Sequence, residues 1–355
     1  MDQTDTFHEE GFDVYIDKLI IDSLYRVNKT LVSIVYSSSN PWFPFYCLGV
    51  NESGWRHRAN TEHYAGELNH GLCDMRAFIA RCYLPPAETY KLIGRIGSFE
   101  LQAMPAYEKR EALVVCTSPS YLYELWTTTL VSIETARHLG ATLRVVYIQS
   151  IISDLYKILR AYEQEGILLI KHGFDMPKLE DHPLVTSAHH NQAIAINDCL
   201  YQFKDAADFI VVADWDDIFL TGFKSKLGTG PLRPAYDSGY SMVDFLREQQ
   251  EAEPKIAVFL LEWMKTDRSF TPEDSNFSIC SSVRRETAKL STLVKEGKYA
   301  MIPSRVKGAW VHYPMKIEDG YVEKKFEETS GAIFFHLNKP VWSRPTVRNS
   351  IKLKN

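Results

Sequence analysis

The amino-acid sequence predicts an α/β fold with a mostly parallel sheet, preceded by a smaller β-rich N-terminal domain. Short apolar runs alternate with helix-length segments from Leu113 onward. The residues before Tyr107 instead form short alternating runs separated by Pro, Gly and Asn, which is typical of strands and turns. Strand–helix alternation builds a parallel sheet, and such sheets bind ligands at the carboxyl ends of their strands.

Length and composition narrow the class of protein. A chain of 355 residues predicts one large domain with a smaller companion, and 45% hydrophobic with 24% charged residues is ordinary for a folded chain. The net charge of −5 and the scattered Lys and Arg exclude nucleic acid as an expected partner. No apolar run approaches the roughly 18 to 20 residues that cross a bilayer, so we expect no membrane segment, signal peptide or anchor in this chain.

The six cysteines include no CxxC pair, which argues against a zinc ribbon or a dithiol redox site. Their even number is compatible with disulfides. The runs TLVSIVYSSS and KLIGRIGSFEL predict the strands of the N-terminal domain, and the polar stretch AMPAYEKREA then interrupts the pattern. We therefore divide the chain into a β-rich domain over 1–106 and an α/β domain over 107–355.

The α/β domain begins with the strand ALVVC and continues with the strands TLRVVYI, ILLI and DFIVVAD. Glycines suit the left-handed position that follows a helix, and Ser is a favourable N-cap, so both mark helix ends here. The predicted helices are Tyr121–Leu139, closed by Gly140; Ser153–Glu165, capped by Ser153 and closed by Gly166; and Ser187–Phe203.

A cluster of carboxylates follows the fourth strand of this domain. The run 209–213 has a buried-strand pattern, and it delivers Asp214, Asp216 and Asp217 at the ligand-binding edge. Alternation along an extended backbone would place Asp214 and Asp216 on one side and Trp215 on the other. Two converging carboxylates attract a hard divalent cation such as Mg²⁺ or Mn²⁺, whose open positions substrate phosphates can fill. The plain alternative is a solvated strand end.

Several segments between Cys116 and His336 resemble glycosyltransferase family 92. They are CTSPSY, ELWTTTLVSIETARHLGA, QAIAINDCLYQF, VVADWDD and the late pair AWVHYP and AIFFHL. The resemblance implies a GT-A-type, Rossmann-like fold and an inverting, metal-dependent enzyme that uses a UDP-sugar, with galactose as the family's donor. It also implies a glycan or glycoprotein acceptor and the Golgi lumen or secretory pathway. Members are commonly type II membrane proteins, and no anchor is visible here.

By this resemblance, Asp214 and Asp216 correspond to the family's metal–diphosphate motif. The resemblance also favours His336 as a third metal or phosphate contact. Both His336 and His312 follow short apolar-aromatic runs, where a returning strand can bring an imidazole to the metal. We expect His312 at the diphosphate, and Asp217 either completing the metal's shell through water or supporting the neighbouring ligands, with a plain strand-end carboxylate as the alternative. For either histidine the alternative is a buried core residue.

The donor nucleotide is expected near two groups of polar residues. Thr117 and Ser118 end the first strand of the α/β domain, where the base and ribose would lie. Gln192 and Asn197 lie on the helix that enters the DWDD strand, and their amides suit uracil or diphosphate oxygens. Ordinary helix capping and surface polarity are the alternatives.

Inverting transfer needs a carboxylate base for the acceptor hydroxyl. Glu262, Glu273 and Asp274 follow the metal site in the sequence, and the sequence does not choose among them. Glu262 ends the apolar run IAVFLLE, which predicts a strand end, whereas Glu273 and Asp274 lie in the loop TPEDSN.

Two other functions compete with the transferase. A haloacid-dehalogenase-like phosphatase also places an Asp-x-Asp motif after an apolar strand, but there it follows the first strand and is accompanied by a later acidic pair. A non-catalytic module that binds a nucleotide or a glycan would keep the fold and lack the acceptor base.

Overall fold

The computed structural model describes fifteen stretches of the chain, to which every structural statement below refers. These stretches are residues 5–9, 12–16, 19–39, 45–51, 53–54, 56–66, 75–87, 89–94, 97–174, 188–221, 240–270, 287–294, 297–327, 330–337 and 341–342. None of the helices in them is long and apolar enough to cross a bilayer.

The N-terminal part is built from strands, as predicted. Two of its sheets enclose a common apolar core, to which Ile34 and Tyr36 contribute from one sheet and Phe45 and Leu92 from the other. The strands are β1 (Asp5–Glu9), β2 (Phe12–Ile16), β3 (Leu19–Arg26), β4 (Leu31–Ser38), β5 (Phe45–Val50), β6 (Arg56–Arg58), β7 (Asn60–Ala65), β8 (Arg76–Tyr83), β9 (Thr89–Gly94), β10 (Gly97–Leu101) and β11 (Met104–Pro105).

The remaining elements alternate between strand and helix and then become mainly strands. The strands are β12 (Glu111–Cys116), β13 (Leu143–Ile148), β14 (Leu168–His172), β15 (Ala207–Val212), β16 (Asp217–Thr221), β17 (Ile256–Leu261), β18 (Trp263–Phe270), β19 (Thr287–Val294), β20 (Tyr299–Met301), β21 (Val306–Ala309), β22 (Pro314–Ile317), β23 (Val322–Phe326), β24 (Ala332–Leu337) and β25 (Val341–Trp342). The helices are α1 (Trp126–His138), α2 (Ser153–Gln164), α3 (Gln192–Gln202) and α4 (Met242–Ala252), with 3₁₀ turns at Ala188–Asn191 and Pro303–Arg305.

The main sheet has the strand order β14-β13-β12-β15-β20-β17-β23 within the described residues. Its strands run parallel except β20, which is antiparallel to both β15 and β17. Apolar clusters cover both faces, one built around α3 and the other around α4. The α/β prediction with a mostly parallel sheet is therefore confirmed, and the carboxyl ends of the parallel strands share one edge.

The helix ends follow the predicted glycines, whereas two helix starts differ from the prediction. Gly140 and Gly166 have φ values of +99° and +73°, which close α1 and α2. Helix α1 starts at Trp126 and not at Tyr121, because Leu122 has φ +42° and its neighbours bridge to residues near 150. Helix α2 starts at Ser153 as predicted, but its N-cap is residue 152 and makes no side-chain cap bond.

Helix α3 begins at Gln192 because two left-handed residues precede it. His190 and Asn191 have φ values of +51° and +64°, which the regular helix geometry excludes. The predicted start at Ser187 lies outside the described residues. The end of the helix at Gln202 is within one residue of the predicted one.

Helix α3 also packs against the N-terminal strands, so the two parts of the chain share one core. Asp198 of α3 accepts hydrogen bonds from Tyr25 Oη at 2.9 Å and from Tyr147 Oη at 2.5 Å. A disulfide between Cys116 and Cys199 joins β12 to the same helix. The division at 106/107 stays a prediction, and this packing predicts that the two parts unfold together.

Candidate functional site

The DWDD segment forms a turn at the carboxyl edge of the main sheet. Strand β15 ends at Val212, and the N–H of Asp217 donates to the carbonyl of Asp214 at 3.2 Å. The Asp217 carboxylate in turn accepts from the Asp214 N–H at 3.0 Å. The carboxylates therefore approach one another through a turn, and not through the strand alternation that the sequence suggested. Trp215 does point away, since its buried indole N–H donates to Ser120 Oγ at 2.9 Å.

Strand pairing brings an imidazole to this turn. Strand β16 pairs antiparallel with β24, and Asp217 lies directly opposite His336 in that register. The Nδ1 atom of His336 is 2.9 Å from Asp217 Oδ1. Trp263, the first residue of β18, donates its indole N–H to the same oxygen at 2.9 Å and packs its ring 4.1 Å from that of His336.

Asp217 orients its neighbours and has little capacity left to bind a cation itself. Its side chain is fully buried, Oδ1 faces Trp263 and His336, and Oδ2 faces the Asp214 N–H and Lys298. The Trp263 indole, His336 and the Asp214 N–H donate hydrogen bonds to the carboxylate, and Lys298 forms an ion pair with it at 3.6 Å. Because Nδ1 of His336 is turned to Asp217, a cation held by this histidine would bind Nε2, as in carboxylate–histidine–metal arrangements.

Three side chains of the site could hold a metal ion together. Potential ligand atoms of Asp216, Asp217 and His336 all lie within 4.8 Å of one another. The Asp216 and His336 side chains are 31% and 19% exposed, so both reach the surface of the site. Beside them Asp214 Oδ1 is buried and accepts no hydrogen bond from the described part of the chain. A carboxylate, an imidazole and an adjacent orphaned acceptor fit Mn²⁺ or Mg²⁺.

Lys298 is a member of the cluster that sequence reasoning missed. It is 1% exposed, and its Nζ lies 2.8 Å from Asp214 Oδ2 and 3.6 Å from Asp217 Oδ2. Burial alone would lower the pKa of Lys298, but the two aspartates raise it to about 12. A lysine in the stretch EGKYA has no pattern that separates it from a surface lysine, so no sequence signal identified it.

The charges of the site are coupled. Burial and the nearby Asp217 raise the pKa of Asp216 to about 6. Burial also opposes the ionisation of Asp217, but Lys298 and His336 outweigh it and hold the pKa of Asp217 below its usual value. Burial would lower the pKa of His336, whereas Asp217 and Asp216 raise it. Crowded carboxylates therefore favour an additional positive charge at this edge.

His312 lies at the same edge. Its Nδ1 is 3.0 Å from the Gly297 carbonyl, and its ring centre is 6.2 Å from that of Trp263. Burial, followed by the charge of Lys298, lowers the pKa of His312, so the ring is neutral at pH 7. The structure thus brings His312 beside the carboxylates, and its contact with a diphosphate stays a prediction.

The residues expected at the nucleotide divide into two groups. Thr117 and Ser118 follow β12 at the same edge as Asp214, and their buried hydroxyl oxygens make no hydrogen bond within the described residues. Gln192 is partly exposed at the start of α3. Asn197 is different, because it is fully buried and its amide bonds only to the backbone of Ala193 and Ala309. It therefore ties α3 to β21 and offers no group to a nucleotide.

Of the three candidate bases, Glu262 lies in the described part of the chain. It follows β17, is 9% exposed and immediately precedes Trp263. Its backbone carbonyl accepts from the Phe334 N–H at 3.0 Å, which fixes the chain between β17 and β24. Glu273 and Asp274 lie outside the described residues.

A cavity of about 470 Å³ lies elsewhere, at the amino edge of the main sheet, and it is lined in part by Arg110, Arg247 and Asp208. Arg110 and Arg247 both bind the Asp208 carboxylate, at 2.5 and 3.1 Å. Arg110, Arg247 and Asp208 are thus paired with one another, and the carboxylate cluster that suits a cation lies at the opposite edge.

A mostly parallel α/β sheet with carboxylates and an imidazole at its carboxyl edge defines a ligand-binding protein with a candidate metal centre. The sequence profile of glycosyltransferase family 92 matches residues 111–355, which is more than half of the chain. The chain belongs to glycosyltransferase family 92. This membership confirms the resemblance noted in the sequence and leaves the phosphatase alternative without support.

Two Caenorhabditis elegans proteins, each named a glycosyltransferase family 92 protein, are similar to this chain. One is 28% identical over 269 residues, covering 74% of this chain and 48% of that protein. Another is 28% identical over 209 residues, covering 58% of this chain and 38% of that protein. The chain thus spans about half or less of the length of these relatives. A crystal structure of S. aureus TarS 1–349 aligns with a TM-score of 0.29 and 11% identity over 66% of this chain and 59% of that chain, too weak a likeness to carry an argument.

Proposed function

We propose that this chain transfers a sugar from a UDP-sugar to a glycan or glycoprotein acceptor with Mn²⁺ or Mg²⁺ bound at Asp216 and His336. The observation that supports the proposal best is the cluster of Asp216, Asp217 and His336 at the carboxyl edge of the sheet. Galactose as the donor sugar and inversion at its anomeric carbon are part of this proposal, and only the likeness to the family supports them.

Different residues of the chain would bind the cation, orient its ligands and bind the nucleotide. Asp216 and His336 would hold the cation, Asp217 would fix the imidazole so that Nε2 faces the cation, and His312 lies where a diphosphate oxygen would approach. The bound cation would stabilise the negative charge of the leaving diphosphate. The unpartnered hydroxyls of Thr117 and Ser118, together with Gln192, would receive the nucleotide.

The acceptor hydroxyl needs a base in an inverting transfer, and Glu262, Glu273 and Asp274 remain the candidates. We favour Glu262 because it adjoins Trp263, which contacts both Asp217 and His336. A Glu262→Gln variant that still binds UDP and Mn²⁺ but has lost transfer would support this role. Unchanged transfer would assign the base elsewhere.

Two disulfides support a secretory location. Cys47 bonds to Cys82 and Cys116 to Cys199, with Cα separations of 6.0 and 6.1 Å that are usual for disulfides. Disulfides persist in oxidising compartments, which agrees with the Golgi lumen implied by the family.

Calorimetric titration of UDP with and without Mn²⁺ tests the proposal. Two protein ligands leave a hard cation with several open positions, so diphosphate oxygens should complete its shell. UDP and Mn²⁺ should then tighten each other's binding by the same factor, on the order of 10-fold or more, as linkage requires.

Equal UDP affinity in a chelator and in Mn²⁺ would contradict the metal–diphosphate site. Positive coupling without turnover of any UDP-sugar, with or without an acceptor, would instead favour the non-catalytic binding module.

A further inference from the structure

Lys298 lies beneath the DWDD turn with almost no exposure to solvent. A buried ammonium group needs opposite charges and hydrogen bonds, and Lys298 has them in Asp214 Oδ2 at 2.8 Å and Asp217 Oδ2 at 3.6 Å. Lys298 thus contacts two of the three aspartates of the turn. The third, Asp216, remains as the carboxylate for the metal site.

The backbone before Lys298 holds the ammonium group in place. A Cβ atom on Gly297 would lie 2.4 Å from the Leu261 carbonyl and 2.7 Å from Trp263 Cβ, so the chain passes between these residues only because position 297 is glycine. The Lys298 carbonyl accepts from the Leu261 N–H at 3.1 Å, and the Gly297 carbonyl is 3.0 Å from His312 Nδ1. Backbone packing and hydrogen bonds of Gly297 and Lys298 therefore fix the position of Lys298 relative to Trp263 and His312.

We propose that Lys298 is a positioning residue that keeps Oδ2 of Asp214 from the cation and so centres the cation on Asp216 and His336. This inference rests on the proposed function of the same site. Lys298 occupies one oxygen of Asp214, so that carboxylate cannot chelate through both oxygens. Its positive charge also repels a cation that approaches from the Asp214 side.

Loss of the ammonium group should have two opposite effects. Lys298→Met removes a nearby positive charge and frees the Asp214 carboxylate, so Mn²⁺ should bind more tightly in the absence of nucleotide, on the order of 10-fold. The cation should then be drawn toward Asp214 and away from its productive position, which lowers kcat on the order of 10²-fold. A residue needed only for folding would weaken Mn²⁺ binding and lower kcat together.

The experiment measures Mn²⁺ affinity without nucleotide, kcat, KM and the melting temperature for the wild type and the variants. Lys298→Arg keeps the charge and should retain an Mn²⁺ affinity within about threefold of the wild type. Lys204 provides a matched control, because it is also buried but donates to the Pro303 and Val306 carbonyls far from the turn. Lys204→Met should leave the Mn²⁺ affinity unchanged whatever it does to the melting temperature.

Lys298→Gln keeps a donor for Asp214 and replaces Lys298→Met if the methionine variant does not fold. Tighter Mn²⁺ binding together with reduced kcat in either folded variant supports the inference. Unchanged or weaker Mn²⁺ binding in the variant that folds overturns it. Failure of the proposed function has a different signature, namely a wild-type protein that shows no coupling between Mn²⁺ and UDP.

Discussion

Asp216→Ala is expected to abolish metal-dependent turnover, with a loss of about 10²- to 10³-fold or more, while the chain stays folded. Asp216 is the most accessible carboxylate of the cluster, at 31% side-chain exposure, and its ion-pair partner among the described residues is His336 at 3.8 Å. Burial and the nearby Asp217 oppose the ionisation of Asp216. Removal of this side chain should therefore not lower the free energy of unfolding. Asp216→Asn should be almost as severe, because an amide oxygen is a weaker ligand for a hard cation.

The measurement is kcat/KM with a UDP-sugar across a Mn²⁺ titration, together with thermal unfolding. Asp154→Ala is the matched control, since Asp154 is a carboxylate of α2 that is 83% exposed and pairs only with Lys157. Its activity should equal that of the wild type. Wild-type activity in Asp216→Ala would remove Asp216 from the metal site.

Asp217→Asn should lower both the free energy of unfolding and the Mn²⁺ affinity of the site. The Asp217 carboxylate accepts hydrogen bonds from the Trp263 indole, His336 Nδ1 and the Asp214 N–H, and it pairs with the Lys298 ammonium group at 3.6 Å. An amide has a donor end, so in either orientation its NH₂ group faces another donor. We expect a loss of about 3–5 kcal/mol in the free energy of unfolding and of about 10- to 100-fold in Mn²⁺ affinity.

Chemical denaturation and Mn²⁺ titration measure the two effects. Asp208→Asn is the control, because the carboxylate of Asp208 pairs with Arg110 and Arg247 at the opposite edge and is 33% exposed. It should cost no more than about 1 kcal/mol and leave Mn²⁺ affinity unchanged. Asp217→Asn with wild-type stability would contradict the role of Asp217 as the organiser of the cluster.

The α/β architecture could be predicted because its signals are local. Alternation of apolar runs with helical segments specifies the strands up to β15, and the glycines at 140 and 166 mark helix ends through their left-handed conformation. The helix starts were less predictable. Leu122 adopts a left-handed conformation that is rare for leucine, so the apolar pattern placed the start of α1 too early.

The carboxylates could be located from the sequence, but the sequence does not show which of them faces the cation and which one orients the others. These roles depend on which residue faces His336 across β16 and β24, a register between segments more than a hundred residues apart. They depend also on the antiparallel insertion of β20, which brings Lys298 under the turn. A strand-end position gave no sign that Asp214 pairs with the buried Lys298, so that an Asp214→Ala change would also lower the stability of the fold.

Anomalous diffraction from crystals grown with Mn²⁺ and UDP tests the central claim most directly. The account predicts a manganese peak at about 2.0–2.2 Å from a carboxylate oxygen of Asp216 and from Nε2 of His336, with diphosphate oxygens in the remaining positions. Asp217 should stay hydrogen-bonded to Nδ1 of His336, and Lys298 should stay on Asp214. A peak on Asp214 without His336, or the absence of manganese from this edge when UDP is bound, would contradict the account.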